Sequence, residues 1–123
     1  MGVAPIQENE FSARASEAEH ALLVTMAGKA DLNSSSQLDR FVDEVHAEAQ
    51  RLHPAAVRID LRQVEFMNSS CLRCLVRWIG QIQALATAER YHLTLISSPS
   101  VFWQKRSLLA LTLLSSDLVS VEM

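Results

Sequence analysis

The sequence predicts an α/β fold in which helices alternate with the strands of a mixed, largely parallel sheet. Short apolar or alternating segments, typical of strands, are separated by segments in which apolar residues recur at helical spacing. The chain has 123 residues, of which 49% are hydrophobic and 20% charged, with three glycines and three prolines. This length and composition are typical of one packed globular domain. We therefore expect a single domain over residues 10–123 with a sheet of about four to five strands, preceded by a flexible tail over residues 1–9.

Two strands are predicted at the start of the domain. Partial alternation in the segment EFSARASE, residues 10–17, indicates an edge strand. The apolar run His20–Met26 contains a β-branched pair and ends near Gly28. This run predicts a central strand that is buried on both faces.

An amphipathic helix is predicted next, because apolar residues recur at helical spacing between Leu38 and Leu52. Ser34 and Gln37 have the spacing of a capping box, in which the two side chains satisfy free amides of the first turn. The pair His53-Pro54 predicts the end of the helix, since proline disfavours a helical residue before it.

The second half of the chain continues the alternation of strands and helices. Alternation and β-branched content predict the strands, and apolar residues at helical spacing predict the second helix. The turn Ser97–Ser100 can start a short third helix, which Val101, Phe102, Lys105 and Leu109 fit only in part. The predicted elements are a strand over Val57–Leu61, a helix over Leu72–Ala86, a strand over Tyr91–Ile96, a short helix around residues 100–110 and a strand over Leu118–Val121, with the segment VEFM leading from the first of these strands to the double serine.

The segment VEFMNSSCLRC, residues 64–74, joins the third predicted strand to the second predicted helix. Its Ser69 and Ser70 are expected at the carboxyl ends of the parallel strands, where the functional sites of α/β folds are usually found. One interpretation is that one serine caps the helix, because serine is a preferred N-cap residue. The other is that a serine is phosphorylated, because a helix N-terminus offers free amides and a positive dipole end to a phosphate.

Three segments of the chain resemble the STAS domain family, and specifically its anti-sigma-factor antagonists. FMNSSCLRCL, which follows VRIDL, resembles the FMDSSGL segment that follows a VLDL-type strand in the family. MAGKADLNSS, residues 26–35, resembles the LxGELD turn before the family's first helix, and its spacing to the double serine is also similar. The resemblance covers about residues 10–122 and implies the STAS fold.

The resemblance implies a non-enzymatic partner-switching regulator. Such a protein, when unphosphorylated, binds a serine kinase that also restrains a sigma factor, and so frees the sigma factor. Phosphorylation by that kinase ends the binding, and a serine phosphatase restores the active form. By position in the motif, the implied phosphorylation site is Ser69, with Ser70 as the alternative. Partner contacts are expected from Asp31, Asn33, Ser34, Asn68, Ser69, Ser70, Cys71 and Arg73.

Two residues of the motif differ from the family pattern, because Asn68 replaces an Asp and Cys71 replaces a Gly. Asn68 lacks the carboxylate but keeps hydrogen-bonding groups and removes a like charge beside a phosphoserine. Cys71 adds bulk in the first helical turn. These differences motivate an alternative function, that of a STAS scaffold or ligand-binding module in a signalling complex that is never phosphorylated.

The pair Cys71 and Cys74 raises a further hypothesis, a CxxC redox centre whose first thiolate is favoured by the helix N-terminus. However, no Trp, Gly or Pro lies around these cysteines as in thioredoxin-like motifs. No second cysteine pair or adjacent histidine completes a zinc site. We therefore expect Cys74 to pack as a small apolar group, and we expect no metal ion or cofactor.

Charge and composition argue against several classes of function. A net charge of −3 gives no reason to expect nucleic acid, which requires a basic surface. No apolar run approaches the roughly 20 residues that span a bilayer, and the N-terminus lacks the pattern of a secretory signal. No nucleophile is accompanied by a base and an orienting acid, so no catalytic machinery is evident. We expect a cytoplasmic monomer or weak dimer that is not an enzyme and binds neither nucleic acid nor membranes.

Two other groups of residues have competing interpretations. Trp103, next to Lys105 and Arg106, is a candidate protein-contact anchor if its ring is exposed, but tryptophan is buried on average, which favours burial. Arg73 and Arg77 form a basic stripe on the second predicted helix, which is either functional or only its solvated face.

Overall fold

The computed structural model describes residues 1–123 and confirms the α/β fold. Helices and strands alternate in the predicted order after one additional short strand at the N-terminus. The strands are β1 (Ile6–Gln7), β2 (Phe11–Ala18), β3 (Ala21–Ala30), β4 (Ala56–Met67), β5 (His92–Ile96) and β6 (Val119–Glu122). The helices are α1 (Ser35–Leu52), α2 (Ser69–Gln83) and α3 (Phe102–Thr112), with 3-10 turns over Leu32–Ser34 and Thr87–Glu89.

All six strands form one sheet in the order β1-β2-β3-β4-β5-β6. The first three strands pair antiparallel, and β3 to β6 pair parallel. Each parallel connection contains a helix and moves one position in the same direction. Because such connections are right-handed, α1, α2 and α3 all lie on one face of the sheet.

The strand predicted over His20–Met26 is central, but the prediction that both of its faces are buried is wrong. Along β3 the side chains of Leu22 and Val24 are buried, whereas those of Leu23 and Thr25 are half-buried. A continuous apolar run indicates two covered faces only when helices lie on both sides of the sheet. Here the connections leave one face of the sheet without helices.

The prediction of a flexible tail over residues 1–9 is corrected at Ile6 and Gln7, which form β1. This strand pairs antiparallel with β2, and Ile6 is buried in the core. Helix α1 holds the preceding backbone, because the Arg40 guanidinium donates to the Ala4 carbonyl at 2.8 Å and the Glu44 carboxylate accepts from the Ala4 amide at 2.8 Å.

The predicted capping box at the start of α1 is not formed. Ser34 is buried at the end of the 3-10 turn and makes no capping hydrogen bond, while the Gln37 side-chain amide contacts the Glu8 carboxylate at 3.5 Å. Instead, the Asp31 carboxylate accepts from the Asn33 amide at 2.9 Å and begins the turn that leads into the helix. The Asx side chain therefore organises this turn.

The observed ends of α1 and α2 agree in part with the predicted ends. His53 ends α1 as predicted, in the left-handed conformation with a φ of 52°, and its amide donates to the Ala49 carbonyl. Helix α2 ends at Gln83, earlier than the predicted Ala86, and the chain continues into the second 3-10 turn. This difference leaves the site at the start of α2 unchanged.

Arg77 joins α2 to α1. Its guanidinium donates to the Asp39 carboxylate at 3.0 Å and to the Asp43 carboxylate at 2.8 Å. The prediction of a basic stripe formed by Arg73 and Arg77 is therefore only half right, because Arg77 is engaged between the helices. These partly exposed ion pairs add geometric specificity to the packing of the two helices, which the buried apolar residues hold together.

A partly buried hydrogen-bond network links α1 and α2 to Tyr91, the residue that precedes β5. The Tyr91 hydroxyl accepts from the Trp78 indole N–H at 2.7 Å and lies 2.6 Å from the His46 Nδ1 atom. The hydroxyl oxygen can accept two hydrogen bonds and donate one, so Tyr91 can serve both neighbouring rings at once. Burial lowers the pKa of His46, the nearby Asp43 carboxylate raises it, and the Arg77 guanidinium lowers it further.

Helix α3 supports the second half of β4, which continues beyond the end of β5. Strand β5 pairs with β4 only as far as Asp60. Beyond that point, the fully buried Gln104 side-chain amide donates to the carbonyls of Leu61 and Val64 at 2.6 and 3.1 Å. The Trp103 indole N–H also donates to the Val64 carbonyl, at 3.0 Å, and its ring is half-buried. Two side chains of α3 thus replace the missing strand partner.

Candidate functional site

The carboxyl ends of β3 and β4 meet at one edge of the sheet. Ala30 pairs with Met67, and the amide of Asn68 donates to the Ala30 carbonyl at 2.9 Å. The turn that follows β3 and the first turn of α2 therefore lie side by side. This edge brings together the candidate contact residues that the sequence identified in both segments.

Asn68 caps α2. Its backbone is extended, with φ −77° and ψ 172°, and its side-chain oxygen accepts from the Cys71 amide at 3.0 Å. This is the hydrogen bond of an N-cap residue, so the interpretation that a serine caps the helix is wrong. The replacement of the family's Asp by Asn68 keeps the acceptor that the cap requires.

Ser69 and Ser70 are the first two residues of α2. Backbone amides at these positions have no acceptor one turn earlier, and they point outwards at the positive end of the helix dipole. Ser69 is exposed and Ser70 is half-buried. With the capping role taken by Asn68, the Ser69 hydroxyl is the accessible one at this helix terminus.

Arg73 lies one helical turn after Ser69, on the same exposed side of α2. It is absent from the ion pairs of the structure. Its guanidinium is therefore available to an anion at Ser69 or to an acidic group of a partner.

Two of the predicted contact residues lie beneath the surface. Asn33 is exposed and Asp31 is half-buried, but Ser34 and Cys71 are buried. The Cys71 thiol lies 3.2 Å from the Asp31 carbonyl, and the Ser34 amide donates to the same carbonyl at 3.0 Å. The Cys71 thiol therefore links the two loops, whereas the Ser34 amide closes the turn after β3. The prediction that Ser34 and Cys71 contact a partner directly is corrected, because both residues are buried.

The environment of Cys71 and Cys74 opposes the CxxC hypothesis. Both thiols are free and buried, and the Cys74 sulfur lies 3.5 Å from the carbonyl of Ser35. Burial, reinforced by the Asp31 carboxylate, raises the pKa of Cys71 to about 11. Burial together with Asp39 raises the pKa of Cys74 to about 12. A redox or nucleophilic cysteine needs access and a lowered pKa, and these thiols have neither.

Three exposed apolar residues at this edge were missed by the sequence analysis. Leu32 in the turn is 68% exposed, Phe66 near the end of β4 is 47% exposed, and Val76 on α2 is 41% exposed. Helical spacing with Leu72 and Ile79 predicts Val76 on the core side of α2, but Val76 follows Ser69 and Arg73 along the exposed side. Leu32 is a large apolar residue inside an otherwise polar turn, and this pattern in the sequence could have indicated its exposure.

No three histidine, cysteine or acidic side chains lie close enough together to hold a metal ion. None of the helices combines the length and the apolar character that crossing a lipid bilayer requires.

Comparisons with known proteins agree with this fold. A family model described as Mlab, STAS domain matches residues 13–103. The crystal structure of an anti-sigma factor antagonist from Mycobacterium paratuberculosis is similar, with a TM-score of 0.64, 19% sequence identity and coverage of 85% of this chain and 81% of that chain. The NMR structure of the protein TM1081 is also similar, with a TM-score of 0.56, 11% identity and coverage of 88% and 78%. At these identities the two likenesses show a shared fold.

No protein with a curated description matches the sequence. The family model, in contrast, covers most of the chain and includes both loops of the edge described above. The resemblance inferred from the VRIDL and FMNSSCLRCL segments is thereby confirmed, and the chain belongs to the STAS domain family.

Proposed function

We propose that this STAS domain is a partner-switching regulator. In its unphosphorylated form it binds a serine kinase of the anti-sigma type, phosphorylation of Ser69 by that kinase ends the binding, and a serine phosphatase restores the first form. The observation that carries the proposal is the exposed hydroxyl of Ser69 at the first position of α2, left free because Asn68 caps the helix.

The surroundings of Ser69 suit a phosphate. The kinase transfers the γ-phosphoryl group of ATP to the Ser69 hydroxyl oxygen, the bond to the leaving ADP breaks, and the hydroxyl proton passes to a base of the kinase. The product carries a charge of about −1.5 to −2 near pH 7. The amides of Ser69 and Ser70, the helix dipole and the Arg73 guanidinium all stabilise this charge. Phosphorylation is therefore expected to leave the fold intact.

The same edge has the composition of a protein-binding surface. Leu32 and Phe66 expose apolar side chains beside the polar residues of the two loops, and Val76 extends the exposed side of α2. Apolar anchors surrounded by polar groups are typical of protein interfaces. A phosphate on Ser69 would have to lose its hydration when a partner covers this surface, and that cost explains why phosphorylation ends the binding.

Phosphorylation is tested by incubating the protein with ATP, Mg²⁺ and an anti-sigma-type serine kinase encoded in the same genome. Mass spectrometry then maps the phosphate. We expect it on Ser69 in the wild type and in the matched Ser70→Ala variant, and not in Ser69→Ala. Modification only at residues other than Ser69 and Ser70 would refute the proposed site, and modification of Ser70 alone would move the switch to that residue.

Binding is tested by calorimetry with the same kinase. Ser69→Ala should bind in the presence and absence of ATP, whereas Ser69→Asp should bind more weakly than the wild type. Ser116→Asp is a matched control, because Ser116 is exposed in the segment before β6, at the opposite edge of the parallel strands. It adds the same charge, and its affinity should equal that of the wild type.

A second candidate function is that of a constitutive scaffold, and the exposed Leu32 and Phe66 favour it because apolar docking does not require a phosphate. The Ser69→Asp variant separates the two functions. If this variant keeps the affinity of the wild type while Leu32→Ser loses it, the edge is a docking surface without a phosphorylation switch.

A further inference from the structure

The outward side of α3 carries apolar residues that the site described above does not explain. Phe102, Leu109 and Leu113 are 98%, 58% and 80% exposed. They are spaced by seven and four residues, so they form one line along the helix that is about 16 Å long. Lys105 and Arg106 lie on either side of this line. We call these five residues the α3 surface.

The inward side of α3 is also apolar, apart from one residue. Leu108 and Leu111 are buried, and the buried polar residue Gln104 is satisfied by the carbonyls of β4. The helix thus has apolar residues on two opposite sides. Helices of this composition are normally covered on both sides, so the α3 surface has the character of a helix face that another element covers.

A groove lies beside the line of exposed apolar residues. It has a volume of about 640 Å³, and the loop before α3 contributes Pro99 and Val101 to its lining. The helix contributes Phe102, Trp103 and Leu109. Lys105, Arg106 and Ser107 complete the lining, so the groove combines apolar and basic side chains. Amphipathic helices dock with their apolar side in grooves that expose such apolar residues.

We propose that the α3 surface binds an acidic amphipathic helix of another protein. Apolar residues of that helix cover Phe102, Leu109 and Leu113, and its carboxylates pair with Lys105 and Arg106. The proposal goes beyond the switch at Ser69, because it assigns a second surface on a different helix.

The charge of the α3 surface favours an acidic helix over two other partners, a second copy of this chain and an anionic lipid surface. Helix α3 contains no acidic residue, and neither Lys105 nor Arg106 takes part in an ion pair. Symmetric pairing of two copies through α3 would therefore bring cations against cations. An anionic lipid surface is disfavoured because clusters of about four or more cations are usual there, and the chain carries a net charge of −3.

The test uses two synthetic amphipathic peptides of about 18 residues with the same leucine positions. One has glutamates on its polar side and the other has lysines. Each is labelled with a fluorophore and titrated with the full chain, and binding is followed by anisotropy. We expect the acidic peptide to bind and the basic peptide not to bind. Two-dimensional amide NMR should show the largest shifts in α3 and the loop before it.

Variants assign the binding to the α3 surface. Phe102→Ser should weaken binding of the acidic peptide about tenfold or more. The double change Lys105→Glu and Arg106→Glu should reverse the preference from the acidic to the basic peptide. Val76→Ser is the matched control, since it removes an exposed apolar residue from α2 and should leave peptide binding unchanged. The changed residues are exposed, and circular dichroism checks that each variant is folded.

Four results would overturn the proposal: equal binding of both peptides, binding of neither, concentration-dependent dimerisation that Phe102→Ser abolishes, and preferential binding to phosphatidylglycerol vesicles. Failure here leaves the phosphorylation of Ser69 untouched, because Phe102, Lys105 and Arg106 lie on α3, whereas Ser69 lies on α2.

Discussion

The buried side chain of Gln104 holds α3 against β4, and the change Gln104→Met tests how much this contact contributes to stability. This change nearly preserves the volume but removes three hydrogen bonds, two to the carbonyls of Leu61 and Val64 and one from the amide of Ser98 at 2.9 Å. In this variant the Val64 carbonyl still accepts a hydrogen bond from the indole N–H of Trp103. The Leu61 carbonyl and the partly buried Ser98 amide lose their side-chain partner, so we expect the free energy of unfolding to fall by about 2–3 kcal/mol.

Urea denaturation measures this loss, and the slope of the unfolding free energy against urea concentration should stay the same. The melting temperature should fall by roughly 6–15 °C for a domain of this size. Gln50→Met is the matched control, since Gln50 is exposed on α1 and the change should alter stability by less than about 0.5 kcal/mol. If Gln104→Met is as stable as this control, the proposed role of Gln104 is refuted.

Four further predictions follow from the structure, each measured by urea denaturation. Gly80→Ala should stabilise the protein by about 0.5–1 kcal/mol, since the added methyl group meets no atom within 4 Å on the exposed side of α2, and no gain would contradict this. Gly28→Ala should cost more than about 2 kcal/mol, because Gly28 has a φ of 100° and the methyl group would overlap the Glu10 carbonyl; a loss below 1 kcal/mol would contradict this. Asn68→Ala should cost about 1 kcal/mol through loss of the cap, whereas Asn68→Asp should retain stability. Burial lowers the pKa of His46 below 6.5, so the unfolded chain binds more protons and stability should fall as the pH drops below about 6.5. His46→Gln should reduce this pH dependence, and an unchanged dependence would contradict the assignment.

The order of the elements could be predicted because α1, α2 and the central strands each bury a regular stripe of apolar residues, and because a Ser-Pro turn precedes α3. The details that failed depend on backbone conformation or on distant contacts. Ser34 has the helical φ and ψ of −86° and −16°, which an N-cap residue cannot adopt while capping, and no sequence pattern shows this. Strand β1 is too short to have a period, and contacts with β2 and α1 hold it.

The edge that carries the site could also be predicted, but the exposure of its side chains could not. The motif located Asn68 and Ser69 correctly at the junction of β4 and α2. It did not indicate that Cys71 points inwards or that Phe66 points outwards. Exposure in such loops is decided by which neighbouring segment packs beneath them, and this information lies in the turn after β3, about 35 residues earlier in the chain.

The replacement of the family's glycine by Cys71 is better explained by structure than by chemistry. Its buried thiol lies 3.2 Å from the Asp31 carbonyl, while its amide donates to the Asn68 side chain. Together with the hydrogen bond from the Asn68 amide to the Ala30 carbonyl, these contacts fix both loops from the core side. A charge added at the exposed Ser69 therefore meets a surface that is already held in place. The proposed switch consequently acts through the charge presented to a partner and does not require the loops to move.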